Sequence, residues 1–208
     1  MVTAIIVFSF LGVVGYVIKN VFDEYAEKYE ANVDQLLLEI KATFGLKSKP
    51  TVHQLQFTNW KPIILFGKIE NHITIVQVKQ TEGENSHYFM DLQVKIPSSF
   101  YFELYRRTGG MNLLFGSTMI DFNDKAFSNA FLARTTDTKK LKLILDDYLR
   151  KKCLEAKKDF YGERLVVRNG KIRFNYSINI LNKKRKEGLE RMILLMLLIA
   201  KRLESLKA

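Results

Sequence analysis

ERLVVRNGKIRFNYS, residues 163–177, carries the strongest short-range structural signal in the chain: Glu163 to Val167 and Ile172 to Ser177 alternate in polarity and flank Arg168-Asn169-Gly170-Lys171. Asn-Gly between alternating segments predicts a β-hairpin with a type I′ turn, because both residues tolerate positive φ. Helical patterns lie on either side of it. Upstream, Thr136-Asp137 offers an N-cap for a helix from Thr138 to about Lys157, with Leu141, Ile144, Leu145, Tyr148, Leu149 and Cys153 on one face. Downstream, Lys183-Lys184-Arg185-Lys186-Glu187 opens a last helix that runs to about Leu206. Its stretch from Met192 to Ala200 is apolar all round, which is too short to cross a bilayer and predicts a helix buried by a sheet.

Further upstream the period changes to two. Ile63 to Phe66 and Ile73 to Val78 read as strands joined at Glu70-Asn71, and a polar turn at Glu82-Gly83-Glu84-Asn85 leads into His87 to Ile96. Pro97-Ser98-Ser99 breaks that strand before Phe100 to Tyr105, and Met111 to Phe115 reads as a further short strand. Phe122, Phe127 and Phe131 are placed to wedge a loop and one helical turn against the core. Antiparallel strands in groups with helices between them predict an α+β fold: an N-terminal long or transmembrane helix, a β-meander, a helix, a β-hairpin and a buried C-terminal helix, with the helices on one face of the sheet.

The first 45 residues predict one long helix. Met1 to Ile18 is uncharged and apolar; at about 1.5 Å per residue it spans roughly 27 Å, and Val21 and Phe22, with Lys19 snorkelling, complete a bilayer crossing. Residues 1–22 are therefore expected to be a single transmembrane anchor, 23–46 an amphipathic connector and 47–208 a single α+β domain. A cleaved signal peptide and a buried soluble helix are the rival readings of residues 1–18. Lys19 and Lys28 follow the apolar run and no basic residue precedes it, which places the C-terminal domain on the cytoplasmic side. Phe22, Tyr25, Tyr29, Val33, Leu36, Ile40 and Phe44 form a stripe that needs covering, by the chain's own domain or by a second copy through residues 22–44. Gly45, with Lys47-Ser48-Lys49-Pro50 after it, ends the helix.

Phe127-x-x-x-Phe131, Thr135-Thr136-Asp137, Leu141 to Leu149, Arg164-Leu165-Val166-Val167 and Lys171-Ile172-Arg173-Phe174 together form a pattern. Over Phe122 to Ser177 it resembles one found in uncharacterised bacterial membrane-associated proteins. The resemblance implies a structural domain of unknown function and carries no functional residues across.

Lys and Arg number 33 against 22 Asp and Glu, and the excess is uneven. Residues 1–46 hold 3 basic and 6 acidic side chains, whereas residues 138–208 hold 20 and 8. Such asymmetry favours anionic membrane lipid, an acidic membrane protein partner or, less strongly, nucleic acid. The candidate binding residues are Lys183, Lys184, Arg185 and Lys186, with Arg150, Lys151 and Lys152 upstream. Tyr161, Phe174 and Tyr176 near Arg164, Arg168 and Arg173 offer a stacking platform for single strands, although alternating aromatics in a hairpin ordinarily pack in a core. Cys153 is the only cysteine, so no intrachain disulfide or multi-cysteine metal site forms, and its helix stripe predicts a buried thiol. His53, His72 and His87 lack metal-ligand spacing and read as surface or sheet-edge residues, and Asp121, Asp124 and Asp137 read as turn and cap residues. With no catalytic motif, cofactor fingerprint or metal set, the expectation is a membrane-anchored, non-enzymatic binding or scaffolding domain. The alternatives are an accessory subunit of a larger membrane assembly and a nucleic-acid-binding protein.

Overall fold

A computed structural model describes residues 2–51, 60–81, 88–107, 120–160, 163–177 and 185–206, without the side chains of residues 2–15, 18 and 22. The expected strand at Met111 to Phe115, together with His53, His87, Tyr161, Lys183 and Lys184, lies outside the described residues. The elements, in order, are α1 (Val2–Phe44), β1 (Lys47–Pro50), β2 (Ile63–Ile69), β3 (His72–Gln80), β4 (Tyr88–Lys95), β5 (Phe102–Arg106), α2 (Lys125–Ala130), β6 (Phe131–Thr135), α3 (Thr138–Ile144), α4 (Asp147–Glu155), β7 (Arg164–Arg168), β8 (Lys171–Ser177) and α5 (Arg185–Ser205). This is the α+β arrangement of helices and antiparallel strands that the alternating and helical periods predict.

The eight strands form one sheet in the order β1-β2-β3-β4-β8-β7-β5-β6, antiparallel throughout. The meander runs only from β1 to β4; the hairpin β7–β8 inserts between β4 and β5. Both tight turns carry the backbone that their sequence demands, with Glu70 and Asn71 at φ 48° and 71° and Asn169 and Gly170 at φ 52° and 71°.

Register decides which residues enter the core, because neighbouring residues on a strand face opposite ways. One cross-strand row reads Ser48, Leu65, Val76, Leu92, Phe174, Leu165, Leu104, Ala133, apolar except at the edge. The next row reads Lys47, Phe66, Ile75, Gln93, Arg173, Val166, Glu103, Arg134, and belongs to the other face. Residues of α1, α3, α4 and α5 join the first face in a single core.

The first helix is continuous to Phe44 and ends where expected. Gly45 has φ 62°, and the Leu46 N–H donates to the Lys41 carbonyl at 3.1 Å, closing the last turn as a Schellman motif. Of the expected stripe, Tyr29, Val33 and Ile40 are buried, Leu36 and Phe44 are half-buried against the core, and Leu37 joins them; Tyr25 is exposed. The chain's own domain thus covers the lower half of the stripe. Tyr29, Trp60 and Tyr88 meet there in edge and tilted ring contacts, and the Trp60 Nε1–H donates to Asp34. Among the described residues no helix is long and apolar enough to cross a membrane; most side chains of the expected anchor, residues 1–22, lie outside the described set.

The helix expected from Thr138 to Lys157 is two helices. Leu145 leaves the helical region at ψ 62° and Asp146 is extended, its carboxylate accepting the Leu149 N–H at 2.9 Å as the N-cap of α4. A second capping aspartate outcompetes continued helix. The break turns Tyr148 outward, so it stands exposed rather than on the apolar face. Phe122, Phe127 and Phe131 do wedge into the core, in a chain of ring contacts that runs on through Phe160 to Phe174 and Tyr176. His72 also departs from expectation: it is buried on the core side of β3, with Nε2 3.6 Å from a Glu204 carboxylate oxygen.

Candidate polyanion-binding face

The face of the sheet turned away from the core is basic. It carries Lys47 and Lys49 on β1, Lys68 on β2, Lys79 on β3, Lys95 on β4, Lys171 and Arg173 on β8, Arg164 and Arg168 on β7, and Arg134 on β6, nearly all exposed. Period-two spacing puts each on this side. Its two strand carboxylates, Asp91 and Glu103, are buried among these cations.

Asp91 is fully buried, and a single oxygen, Oδ2, accepts from Gln77 at 3.0 Å, Gln93 at 2.8 Å, Lys79 at 2.7 Å and Arg173 at 3.1 Å. Burial pushes its carboxyl up, but the hydrogen bonds from Lys79, Gln93 and Gln77 outweigh burial and hold it below the ordinary range. Glu103 accepts a hydrogen bond from the Tyr105 hydroxyl and lies 3.4 Å from Arg164, which also donates to the Tyr105 oxygen at 3.1 Å. Burial first, and the Glu103 contact second, raise the Tyr105 phenol above its usual value. Each carboxylate anchors cations in place and is itself screened from the surface.

Next to these anchors the cations stand together. Lys95 pairs in register with Lys171, and Lys171 with Arg168 across the turn, so three positive side chains lie side by side on consecutive strands. None of the three forms a salt bridge with a described residue, whereas Arg164 and Arg173 do. A groove of about 430 Å³ opens over the hairpin here, walled by Glu103, Glu163, Arg164, Arg168, Lys171, Arg173 and Asn175.

The basic residues singled out in the helices have other engagements. Arg150 is almost buried, donating to Asp124 at 3.0 Å, to the Leu145 carbonyl at 2.6 Å and to Asp147, so it clamps α2 to the α3–α4 break. Lys152 pairs with Glu155 at 2.7 Å; Lys151 is exposed. Arg185 donates to the Ser177 carbonyl at 3.3 Å, and Lys186 lies 4.0 Å from Glu39 and 3.8 Å from Glu190. The structure brings none of Arg150, Lys151 and Lys152 to the sheet face. Phe174 and Tyr176 point into the core and provide no stacking platform. Asp124 and Asp137 cap α2 and α3, and Asp121 accepts the Asn123 N–H. Cys153 is buried, which pushes its thiol up to about 12.

The sheet-face cations escape a search for charge runs because in a strand they alternate with core residues, as in Arg164-x-x-x-Arg168 and Lys171-x-Arg173. The usable signal was the parity of those positions within the predicted hairpin. Comparison of the chain with protein-family models, curated proteins and solved structures finds no match.

Proposed function

We propose that the chain is a non-enzymatic binding module, tied by its first helix to the cytoplasmic face of a membrane, that docks an anionic partner on the open face of its sheet. The observation that carries this is the in-register row Lys95, Lys171, Arg168. Directly opposed like charges disfavour a sheet, by roughly 0.2–1 kcal/mol for a cross-strand pair. An anion laid across the row offsets that repulsion, and the effect is screened by salt. The tether is supported by α1 above Tyr29, where Tyr16, Val17 and Val21 stand exposed on a helix whose preceding residues are apolar in sequence.

The test is retention of the full-length protein, in neutral detergent, on an immobilised sulfated polysaccharide. Lys95→Gln with Arg168→Gln and Lys171→Gln should elute at clearly lower salt than Lys139→Gln with Lys142→Gln and Lys151→Gln, which removes as much charge from exposed helix positions. Equal shifts for the two triple variants would show that net charge, not the sheet face, governs binding, and would overturn the proposal.

A further inference from the structure

We infer that the outer stripe of α5 is a contact for a second copy of this chain, packed antiparallel about a two-fold axis at the level of Met196. Helix α5 is buried along most of its apolar length, but Leu194 stands half-exposed and Leu198 is only partly covered. The two lie one turn apart on one face and floor a hollow of about 540 Å³, with Tyr148 of α4, itself exposed, on its wall. Together they form an apolar patch rather than single scattered residues. The helices that bound the hollow run antiparallel, since Arg202 reaches Asp146 before the start of α4 and Arg191 reaches Asp159 beyond its end. Because α5 packs on the core side of the sheet, a partner seated here leaves the basic face open.

Charge selects the partner and its direction. Glu187 and Glu190 precede the two leucines on the stripe and Lys201 follows them, so it is acidic at one end, apolar in the middle and basic at the other. A second α5 laid parallel sets like charges together; laid antiparallel, it sets opposite charges together. With Leu194 of each copy level with Leu198 of the other, each Lys201 lies about 1.5 Å along the axis from the level of the other copy's Glu190, and about 6 Å from that of its Glu187. Arg191, which shares that level, is engaged by the buried Asp159 at 2.7 Å. Glu187 makes no salt bridge with a described residue. Lys201 pairs with Glu70 at 2.8 Å, and Glu190 accepts from Thr43 and lies 3.8 Å from Lys186; partly exposed pairs of this kind exchange partners at small cost. Elsewhere the formal charge of +11 keeps two copies apart. Around this hollow the cations are already matched, Lys152 by Glu155 at 2.7 Å among them. One helix stripe falls at the small end of stable interfaces, which bury about 1,200–2,000 Å², so the association is reversible and set by concentration.

The experiment is sedimentation velocity of the full-length protein in neutral detergent at low salt, over a range of protein concentrations. The native chain should pass from monomer to dimer as concentration rises, and Leu194→Gln should weaken the dimer by about tenfold or more. Glu187→Lys alone and Lys201→Glu alone should each associate less than the native chain. An equimolar mixture of those two should recover association, because both ends of an antiparallel contact then pair opposite charges. Register is read by mild oxidation: separately purified Leu194→Cys and Leu198→Cys chains should cross-link to each other and not to themselves, with the native chain, whose Cys153 is buried, as the blank. A monomer at every concentration overturns the inference and leaves the hollow to a different molecule. A dimer untouched by Leu194→Gln places the contact elsewhere and also overturns it. Self-cross-linking of Leu194→Cys, or a charge-exchanged mixture that fails to recover, rules out the antiparallel pairing.

Discussion

Asp91 has no exposed surface, yet it stays ionised because Lys79, Gln93, Gln77 and Arg173 converge on one of its oxygens. Its other oxygen has no hydrogen-bond partner among the described residues. Asp91→Asn strips the charge that holds Lys79 and Arg173, both themselves in contact with solvent, and should lower unfolding free energy in urea by about 1–3 kcal/mol at neutral pH through the loss of charge-assisted hydrogen bonds. The pH dependence has a definite sign. A carboxyl held below its unfolded value, about 3.9, contributes fully above that pH and loses the contribution as pH falls through the lower folded value. Unfolding midpoints measured across that range should therefore drop more steeply for the native chain than for Asp91→Asn. None of this was legible in the sequence. Asp91 and its partners Lys79 and Arg173 lie on three different strands, and only the register joins them.

Within the elements, Gly188 shows how tightly α5 sits. A Cβ there would come within 2.6 Å of an Asp159 carboxylate oxygen and closer still to the Tyr176 hydroxyl, and Asp159 is itself held by Arg191 at 2.7 Å. Alanine ordinarily favours a helix over glycine by about 1 kcal/mol, whereas forced overpacking costs about 1–3 kcal/mol and here also disturbs an ion pair. The second effect is the larger, so Gly188→Ala should lower the thermal midpoint rather than raise it. Element identity was largely readable in advance: the 163–177 hairpin, the meander strands from Ile63 to Lys95 and the end of α1 at Gly45 each follow from turn residues and period. The break at Asp146 was not, because the apolar spacing of Leu141 to Cys153 fits one helix, and a periodic stripe does not register the competing cap.

Taken as a whole, the molecule has its core reaching back into its first helix. Tyr29, Val33, Leu37 and Ile40 are buried with the sheet and α5, and burial of side chains this size contributes about 1.5–3 kcal/mol each. Four of them together rival the whole stability of an ordinary domain, about 5–15 kcal/mol. A chain beginning at residue 23 should keep the thermal midpoint of the full protein in calorimetry. One beginning at residue 47 should lose the cooperative transition. The basic face could not be foreseen at this scale, since it exists only once strands from residues 47 to 177 are assembled side by side.

That assembly also orders events in time. Strand β4 finds its outer neighbour in β8, so Lys95 waits for Lys171 while the residues between them are made. On the ribosome, β1 to β4 can pair with neighbours close in the chain, but β4 is left as an unpaired edge until the last hairpin emerges. Pairings so distant along the chain close slowly and leave strand edges open to the wrong partner. The late hairpin, carrying four of the cations, is thus both the piece that completes the sheet and the piece that sets when the chain becomes safe from aggregation.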